Sequence, residues 1–158
     1  GASPIIAIDT NEDKFPLAKG FGATHTLLYH PTTVKQSVLE ITKGGVDFAI
    51  EAAGVKEVME LAFQMVKDKT GLCILAGNVP SGVRIECDPF DFIKGKRLIG
   101  TWGGGVKPDR DIPEFLKRYA STSLNLHDLI SHEAPIEEIN ALISLLDQGK
   151  ATRALIRF

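Results

Sequence analysis

The chain has 158 residues, enough for one ordinary domain whose core can fold without disulfides or a metal. Hydrophobic residues make up 44% and charged residues 24%, which is the balance of a globular protein rather than a disordered one. A formal net charge of -2 gives no electrostatic reason to expect nucleic acid or an anionic membrane as a partner. No apolar run approaches the roughly 20 residues that a membrane-spanning helix needs.

The cysteines and histidines show no metal-binding pattern. Cys73 and Cys87 form neither a CxxC motif nor a Cys/His ligand spacing, so we expect reduced thiols and a cytoplasmic protein. The four histidines are also spaced unlike ligands, and we expect each to be a surface or packing residue.

Strands and helices are predicted to alternate strictly over the first half of the chain. A short apolar run predicts a buried strand at 4–9, and a helix over 11–21 follows, which should start late or bend at Pro16. The next elements are a strand at 25–28, a helix at 32–43, a strand at 46–50, a helix at 55–67 and a strand at 70–76. Such alternation with short links is typical of a parallel sheet covered by helices on both faces.

The pattern changes after Pro80. It predicts an edge strand at 83–86, a short helix at 89–94 and a central strand at 97–102. Three glycines at 103–105 form a natural boundary, because they give the backbone freedom and no side chain to pack. Beyond them we predict a helix at 111–120, an extended run at 129–134, a helix that begins at Pro135 and ends before Gly149, and a strand at 154–158.

The residues that follow the strands are the candidate ligand contacts, because ligands of a doubly wound sheet bind beyond the carboxyl ends of its strands. Asp9 ends the first strand, where a carboxylate can bind both ribose hydroxyls of an adenosine and repel a 2′-phosphate. Taken alone, it is equally well a helix-capping acid. Small residues follow three further strands, at 51–54, 76–78 and 100–105. Each glycine alone is better explained as a turn residue, but three sites in register favour a ligand crevice.

A glycine-rich phosphate loop is missing from the chain. No GxGxxG lies between a strand and a helix, although in dinucleotide-binding folds that loop joins the first strand to the first helix. A strand that ends in an acid comes immediately afterwards in such folds. We therefore expect the chain to start at the second strand of a truncated Rossmann-type doubly wound α/β sheet that lacks about one βα unit.

Five separated stretches resemble the zinc-dependent medium-chain alcohol dehydrogenases, closest to the liver-type and glutathione-dependent formaldehyde dehydrogenase branch. They lie at 5–14, 18–24, 44–54, 100–105 and 149–153, and the resemblance covers essentially the whole chain. It implies that 1–104 is an NAD-binding domain without its first βα unit. It also implies that 105–158 is a segment that returns to complete a catalytic domain.

The resemblance assigns a cofactor role to twelve residues. Asp9 would hold the adenosine ribose, with Thr10 beside the adenine and Lys14 over the ribose. The crevice near the nicotinamide ribose would be lined by Ala52, Ala53 and Gly54. Backbone groups for the nicotinamide and its carboxamide would come from Ala76, Gly77, Asn78, Thr101 and Gly103. Arg153 would reach the pyrophosphate, for which a guanidinium fork is suited.

Two departures from the family pattern affect this site. Val55 stands where relatives often have a basic residue, so one charge near the phosphates is lost. Trp102 and Gly103 replace an aliphatic and an aromatic residue, which moves the bulk of the pocket by one position.

The resemblance implies a parent enzyme that transfers hydride between an alcohol or aldehyde and the nicotinamide of NAD. Its catalytic zinc would be bound by Cys, His and Cys ligands in an N-terminal domain, so we expect this chain alone to be inactive. One alternative is a zinc-free NADPH quinone or enoyl reductase of the same superfamily, against which Asp9 argues. The other is a non-catalytic interaction module built on a nucleotide-binding fold.

The edge strand at 83–86 predicts a homodimer joined through residues 80–103. An edge strand with few charges is an open template for another strand. Its Arg84 and Glu86 have opposite charges and can pair with their own copies across a two-fold axis. Similar enzymes extend their sheets across a dimer in this region.

Overall fold

The computed structural model describes residues 1–122 and 125–158. It consists of two compact units, residues 1–112 and 113–158. Each unit has its own parallel β-structure. The division falls several residues after the predicted boundary at 104, and the functional assignment of the two segments stays a prediction.

The first unit alternates strand and helix from its start, as predicted. Its strands are β1 (Ile6–Asp9), β2 (His25–Leu28), β3 (Phe48–Glu51), β4 (Leu72–Leu75) and β5 (Arg97–Gly100). Its helices are α1 (Phe15–Gly20), α2 (Val34–Thr42), α3 (Lys56–Met65), α4 (Pro89–Ile93) and the first part of α5 (Pro108–Ala120). Short 3-10 turns at Glu12–Lys14 and Gly103–Gly105 complete it.

The five strands form two parallel sheets. β1 pairs with β2, with Ile6 opposite His25. The second sheet has the order β3-β4-β5, with Phe48 opposite Leu72 and Leu72 opposite Arg97. All pairs are parallel, so the carboxyl ends of neighbouring strands lie at the same edge of each sheet. The predicted parallel α/β architecture is confirmed.

The hydrophobic core lies between α3 and the three-stranded sheet. Ala62, Phe63, Val66 and Cys73 are buried together, and Phe63 is almost completely inaccessible to solvent. The ring of Phe63 also lies 4.8 Å from that of Phe92, centroid to centroid. The apolar spacing along α3 therefore buries one face of the helix against the sheet.

The start of α1 shows how the chain accommodates Pro16. The side chain of Asn11 accepts a hydrogen bond from the Asp13 N–H and caps the 3-10 turn that precedes the helix. Pro16 is then the second residue of α1, where the missing N–H has no helical partner to lose. The predicted late start of this helix is confirmed.

The prediction of an edge strand at 83–86 is wrong. No strand is assigned between β4 and α4, and the Glu86 N–H instead donates to the Glu60 carboxylate on α3 at 2.8 Å. Glu60 is also paired with Lys56, one helical turn away. A side chain on α3 therefore binds the backbone of this segment, in place of a strand partner. The predicted central position of 97–102 is also wrong, because β5 is the outermost strand of its sheet within the described residues.

The second unit contains the last part of α5, two parallel strands and a helix. β6 (His132–Pro135) pairs with β7 (Ala154–Arg157), and α6 (Ile139–Asp147) connects them. Pro135 is the last residue of β6, so the prediction that it starts the helix is wrong. A 3-10 turn intervenes before α6, and Gly149 follows its end with a positive φ of 66°.

Within the part of the chain that the structure describes, no helix is long and apolar enough to cross a membrane.

Candidate functional site

The carboxyl end of β1 presents Asp9 in a fixed orientation. Its Oδ1 accepts a hydrogen bond from the Asn11 N–H at 2.9 Å, and Lys14 Nζ lies 3.2 Å from both carboxylate oxygens. A carboxylate offers about four acceptor positions, so Asp9 keeps capacity on Oδ2 for a further donor. Asp9 is also about one-third exposed. It is therefore positioned to accept a hydrogen bond from a ligand hydroxyl.

The carboxyl end of β3 is shaped by a residue to which the sequence analysis gave no role. Glu51 is only 2% exposed, and its Oε1 accepts hydrogen bonds from the N–H groups of Ala53 and Gly54, both at 2.8 Å. The side chain thus closes the turn that contains Ala52, Ala53 and Gly54. The signal in the sequence was a single acid between an apolar strand and three small residues.

The turn after β3 touches the turn after β4 directly. Gly54 has a φ of 70°, and a Cβ added there would lie 2.3 Å from the Asn78 carbonyl oxygen. A Cβ on Gly77 would lie 2.3 Å from the Gly54 nitrogen and 2.7 Å from Glu51 Oε2. Real side chains do not tolerate such distances, so both positions require glycine. The two turns form one surface of backbone.

Backbone N–H groups at the ends of β4 and β5 are already used within the sheet. Those of Ala76 and Gly77 donate to the Glu51 carbonyl at 2.8 and 3.0 Å. The Thr101 N–H donates to the Leu75 carbonyl at 3.0 Å. Backbone contacts from these three residues to a ligand would therefore use their carbonyl oxygens.

The segment after β5 is open to solvent. Trp102 is 87% exposed, and Gly103 follows it with a positive φ of 57°. Bulk at residue 102 rather than 103 thus projects away from the described protein. The replacement of an aliphatic residue by Trp102 thus leaves an indole ring exposed to solvent.

A cleft of about 700 Å³ in the first unit brings five of the predicted residues together. They are Asp9, Thr10, Lys14, Ala52 and Ala53. Glu51 and Val55 also line this cleft, whereas Gly54 and the predicted residues that follow β4 and β5 do not. Arg153 belongs to the second unit, where its carbonyl accepts a hydrogen bond from the Ser131 N–H at 2.9 Å.

The rest of the cleft is apolar and is bounded by two strands that each have one unpaired edge. β1 and β3 both line it, and each is paired on one edge only among the described residues. On β3, Phe48 and Ile50 are 65% and 70% exposed, although central strands of parallel sheets are normally buried on both faces. The cleft therefore has a polar end at the carboxyl ends of the strands and an apolar floor between them.

The described residues do not supply a metal site. Within residues 1–122 and 125–158, no three His, Cys, Asp or Glu side chains are grouped so that they could hold a metal ion. The two cysteines are unpaired with one another. A zinc centre therefore does not fit the residues that the structure describes.

Comparison with known proteins identifies the family. Residues 1–121 match the family model described as zinc-binding dehydrogenase. The chain belongs to the zinc-binding dehydrogenase family. It is 36% identical to alcohol dehydrogenase-like 2 of Arabidopsis thaliana, over 99% of this chain and 41% of that protein. The chain thus spans about two-fifths of the length of the dehydrogenases that it matches.

Solved structures of zinc-binding dehydrogenases share the fold. Benzyl alcohol dehydrogenase from Acinetobacter calcoaceticus superposes on the whole chain with a TM-score of 0.92 at 29% identity, covering 43% of that structure. A second structure is that of a zinc-binding dehydrogenase from Sinorhizobium meliloti bound to NADP, with a TM-score of 0.76 at 27% identity. The alignment covers 91% of this chain and 42% of that structure. The parallel α/β fold is therefore that of the cofactor-binding portion of this family.

Proposed function

We propose that this chain is the NAD-binding part of an NAD-dependent zinc alcohol dehydrogenase. The parent enzyme would transfer hydride between an alcohol or aldehyde and the nicotinamide. Asp9 carries the proposal, because a carboxylate fixed at the end of a parallel strand and next to a cleft is suited to bind ribose hydroxyls. The family membership and the alcohol dehydrogenases among its relatives support it.

The described residues fit a dinucleotide along the strand ends. Asp9, Thr10 and Lys14 would hold the adenosine at one end of the cleft, and Ala52 and Ala53 the nicotinamide ribose at the other, with Gly54 in the same turn. Gly54 and Gly77 have no side chains, so the flat nicotinamide ring could approach the backbone of these turns closely. The carbonyls of Ala76 and Thr101 would accept from the carboxamide, with Gly77, Asn78 and Gly103 beside them. Arg153 would bind the pyrophosphate. When bound, NAD supplies the hydride acceptor.

The apolar floor of the cleft supports a missing βα unit. A parallel strand between β1 and β3 would pair with both open edges, and the helix of the same unit would cover the sheet face that carries Phe48 and Ile50. This would join the two sheets into one doubly wound sheet, the arrangement expected of a Rossmann-type domain. We infer that residues 1–104 are such a domain without its first unit, and that 105–158 complete the catalytic domain. The chain alone would then be inactive.

The choice between NAD and NADP tests the proposed function. In the full-length protein, NAD should bind more tightly than NADP, because the Asp9 carboxylate repels a 2′-phosphate. Asp9→Asn keeps the size of the side chain and removes its charge, so the preference should narrow. Asp13→Asn is the control, since Asp13 is exposed and does not line the cleft.

Dissociation constants from fluorescence titration decide between the cofactors. A native preference for NADP would contradict the proposal and favour the zinc-free NADPH reductase. Absence of binding of either nucleotide to the full-length protein would favour a non-catalytic interaction module. An equal change in Asp13→Asn would show that the effect is not specific to Asp9.

A homodimer through residues 80–103 is the second part of the proposal. The outer edge of β5 has no strand partner among the described residues, and Ile93 on α4 is 76% exposed. An open strand edge and exposed apolar side chains are each typical of a surface that is covered in an assembly. The open edge is that of β5, since 83–86 is not a strand. We also propose a cytoplasmic location, supported by the two free thiols.

A further inference from the structure

We infer that Glu51 is a positioning residue, which shapes the nicotinamide end of the cleft by holding the turn of residues 52–54. The inference rests on the proposed function, since it assumes that a dinucleotide binds along the strand ends. Glu51 itself would not touch the cofactor. It acts through the backbone of Ala53 and Gly54.

The side chain and the backbone of Glu51 have different tasks. Its carbonyl oxygen accepts from the N–H groups of Ala76 and Gly77, which secures the end of the sheet. Its Oε1 accepts from Ala53 and Gly54, which closes the turn. Removing the side chain would leave the sheet contacts in place and deprive two N–H groups of their acceptor. The consequence should therefore be concentrated in the turn.

The burial of Glu51 indicates that the acid serves more than space filling. The side chain is 2% exposed, and its Oε2 has no hydrogen-bond partner among the described residues. A buried polar atom without a partner costs free energy, so an apolar side chain would fill this space better. The acceptor at Oε1 is what an apolar residue cannot provide.

Small movements of this turn would be transmitted to the next one. Gly54 and Gly77 are in backbone contact, and Glu51 Oε2 lies only 2.7 Å from the position that a Cβ on residue 77 would take. A turn that loses its acceptor can shift toward Gly77 or into the cleft, whose wall includes Ala52 and Ala53. Either movement changes the nicotinamide end and leaves Asp9, on the other sheet, in place.

The test compares three substitutions in the full-length protein, with NAD and AMP as probes. Glu51→Met and Glu51→Ala both remove the acceptor and differ in volume, whereas Glu51→Gln retains an Oε1 that can accept both N–H groups. Both acceptor-less variants should weaken NAD binding about tenfold or more while AMP binding changes less than about twofold. Glu51→Gln should stay within about threefold of wild type for both probes. Asp47→Asn, at the exposed start of the same strand region, should change neither.

The outcomes are distinguishable by titration with measured stoichiometry, which reports the folded fraction separately from affinity. Wild type that binds neither NAD nor AMP overturns the proposed function and this inference with it. Wild-type binding with unchanged NAD affinity in Glu51→Met and Glu51→Ala overturns the inference alone. A parallel loss of NAD and AMP affinity, or a loss in Glu51→Gln as large as in Glu51→Met, assigns Glu51 a general structural role and also overturns it.

Discussion

Gly77→Ala should damage both stability and cofactor binding, because the added methyl meets backbone on one side. Its Cβ would lie 2.3 Å from the Gly54 nitrogen and 2.7 Å from the Gly54 Cα, where ordinary contacts begin at 3.4 Å. The two turns must therefore separate by about an ångström. Because neither contact is the flexible end of a side chain, the movement has to involve the main chain.

Two opposing effects set the expected magnitude for Gly77→Ala. Overpacking of a rigid site costs roughly 1–3 kcal/mol. Alanine reduces the freedom of the unfolded chain, which returns about 0.4–1 kcal/mol at a residue without a positive φ. Gly77 is not among the glycines with positive φ, so the second effect applies. The overpacking dominates, and the Tm should fall.

The catalytic efficiency of the full-length protein gives the second measurement of Gly77→Ala. A misplacement of about 1 Å at a binding site can reduce catalytic efficiency by roughly a hundredfold. We therefore expect kcat/KM of the full-length enzyme to fall by at least about tenfold. Gly20→Ala is the control, since Gly20 has no positive φ, its added Cβ meets nothing within 4 Å and it does not line the cleft. Equal Tm and kcat/KM in wild type and Gly77→Ala, or equal damage in Gly20→Ala, would refute the reasoning.

Three further predictions concern other parts of the chain. Arg153→Ala should weaken NAD binding by about tenfold or more, since a hydrogen bond to a charged group contributes roughly 1.5–3 kcal/mol. Arg157→Ala should leave NAD binding unchanged in the same titration, because the Arg157 guanidinium pairs with Glu133 within its own sheet. Ile93→Asp should convert the proposed dimer into monomers in sedimentation. Leu116→Asp should not, because Leu116 is exposed but lies outside residues 80–103. A wild-type protein that sediments as a monomer would contradict the proposed dimer. Burial raises the pKa of Cys73 to about 11 from an ordinary value near 9. The unfolded thiol thus loses its proton first, and Tm should fall between pH 9 and 11, less so in Cys73→Val.

The fold was predictable where local pattern and topology agree. Short apolar runs such as 4–9 and 70–76, separated by helical segments, admit few arrangements other than a parallel sheet. The segment at 83–86 shows the limit of such prediction. Four residues that alternate between apolar and polar have the same pattern whether their backbone pairs with a strand or binds a side chain. The acceptor from Glu60 is twenty-six residues away in sequence and leaves no local signal. Pro135 was misplaced for a related reason, since proline suits both a strand end and a helix start.

The site was predictable in its position and less so in its construction. Asp9 and the small residues at 52–54 were expected at strand ends, and the structure brings Asp9, Ala52 and Ala53 to one cleft. Glu51 was overlooked because an acid after an apolar strand is normally exposed, and its burial depends on tertiary contacts. The cofactor roles, including that of Arg153, stay predictions.

The junction between the two sheets of the first unit depends on side-chain packing. Within the described residues no backbone ladder joins β1 to β3, while α2 packs on α3 and Lys35 Nζ donates to Gln64 Oε1 at 3.0 Å. Packed helices can slide past each other by small shear movements that rotate side chains without breaking main-chain hydrogen bonds. Asp9 and the turn of residues 52–54, which we propose for the adenosine and nicotinamide ends of the cofactor, follow strands on opposite sides of this junction. The distance between these two ends can therefore change as the sheets slide. A strand paired with the edges of both β1 and β3 would prevent that sliding.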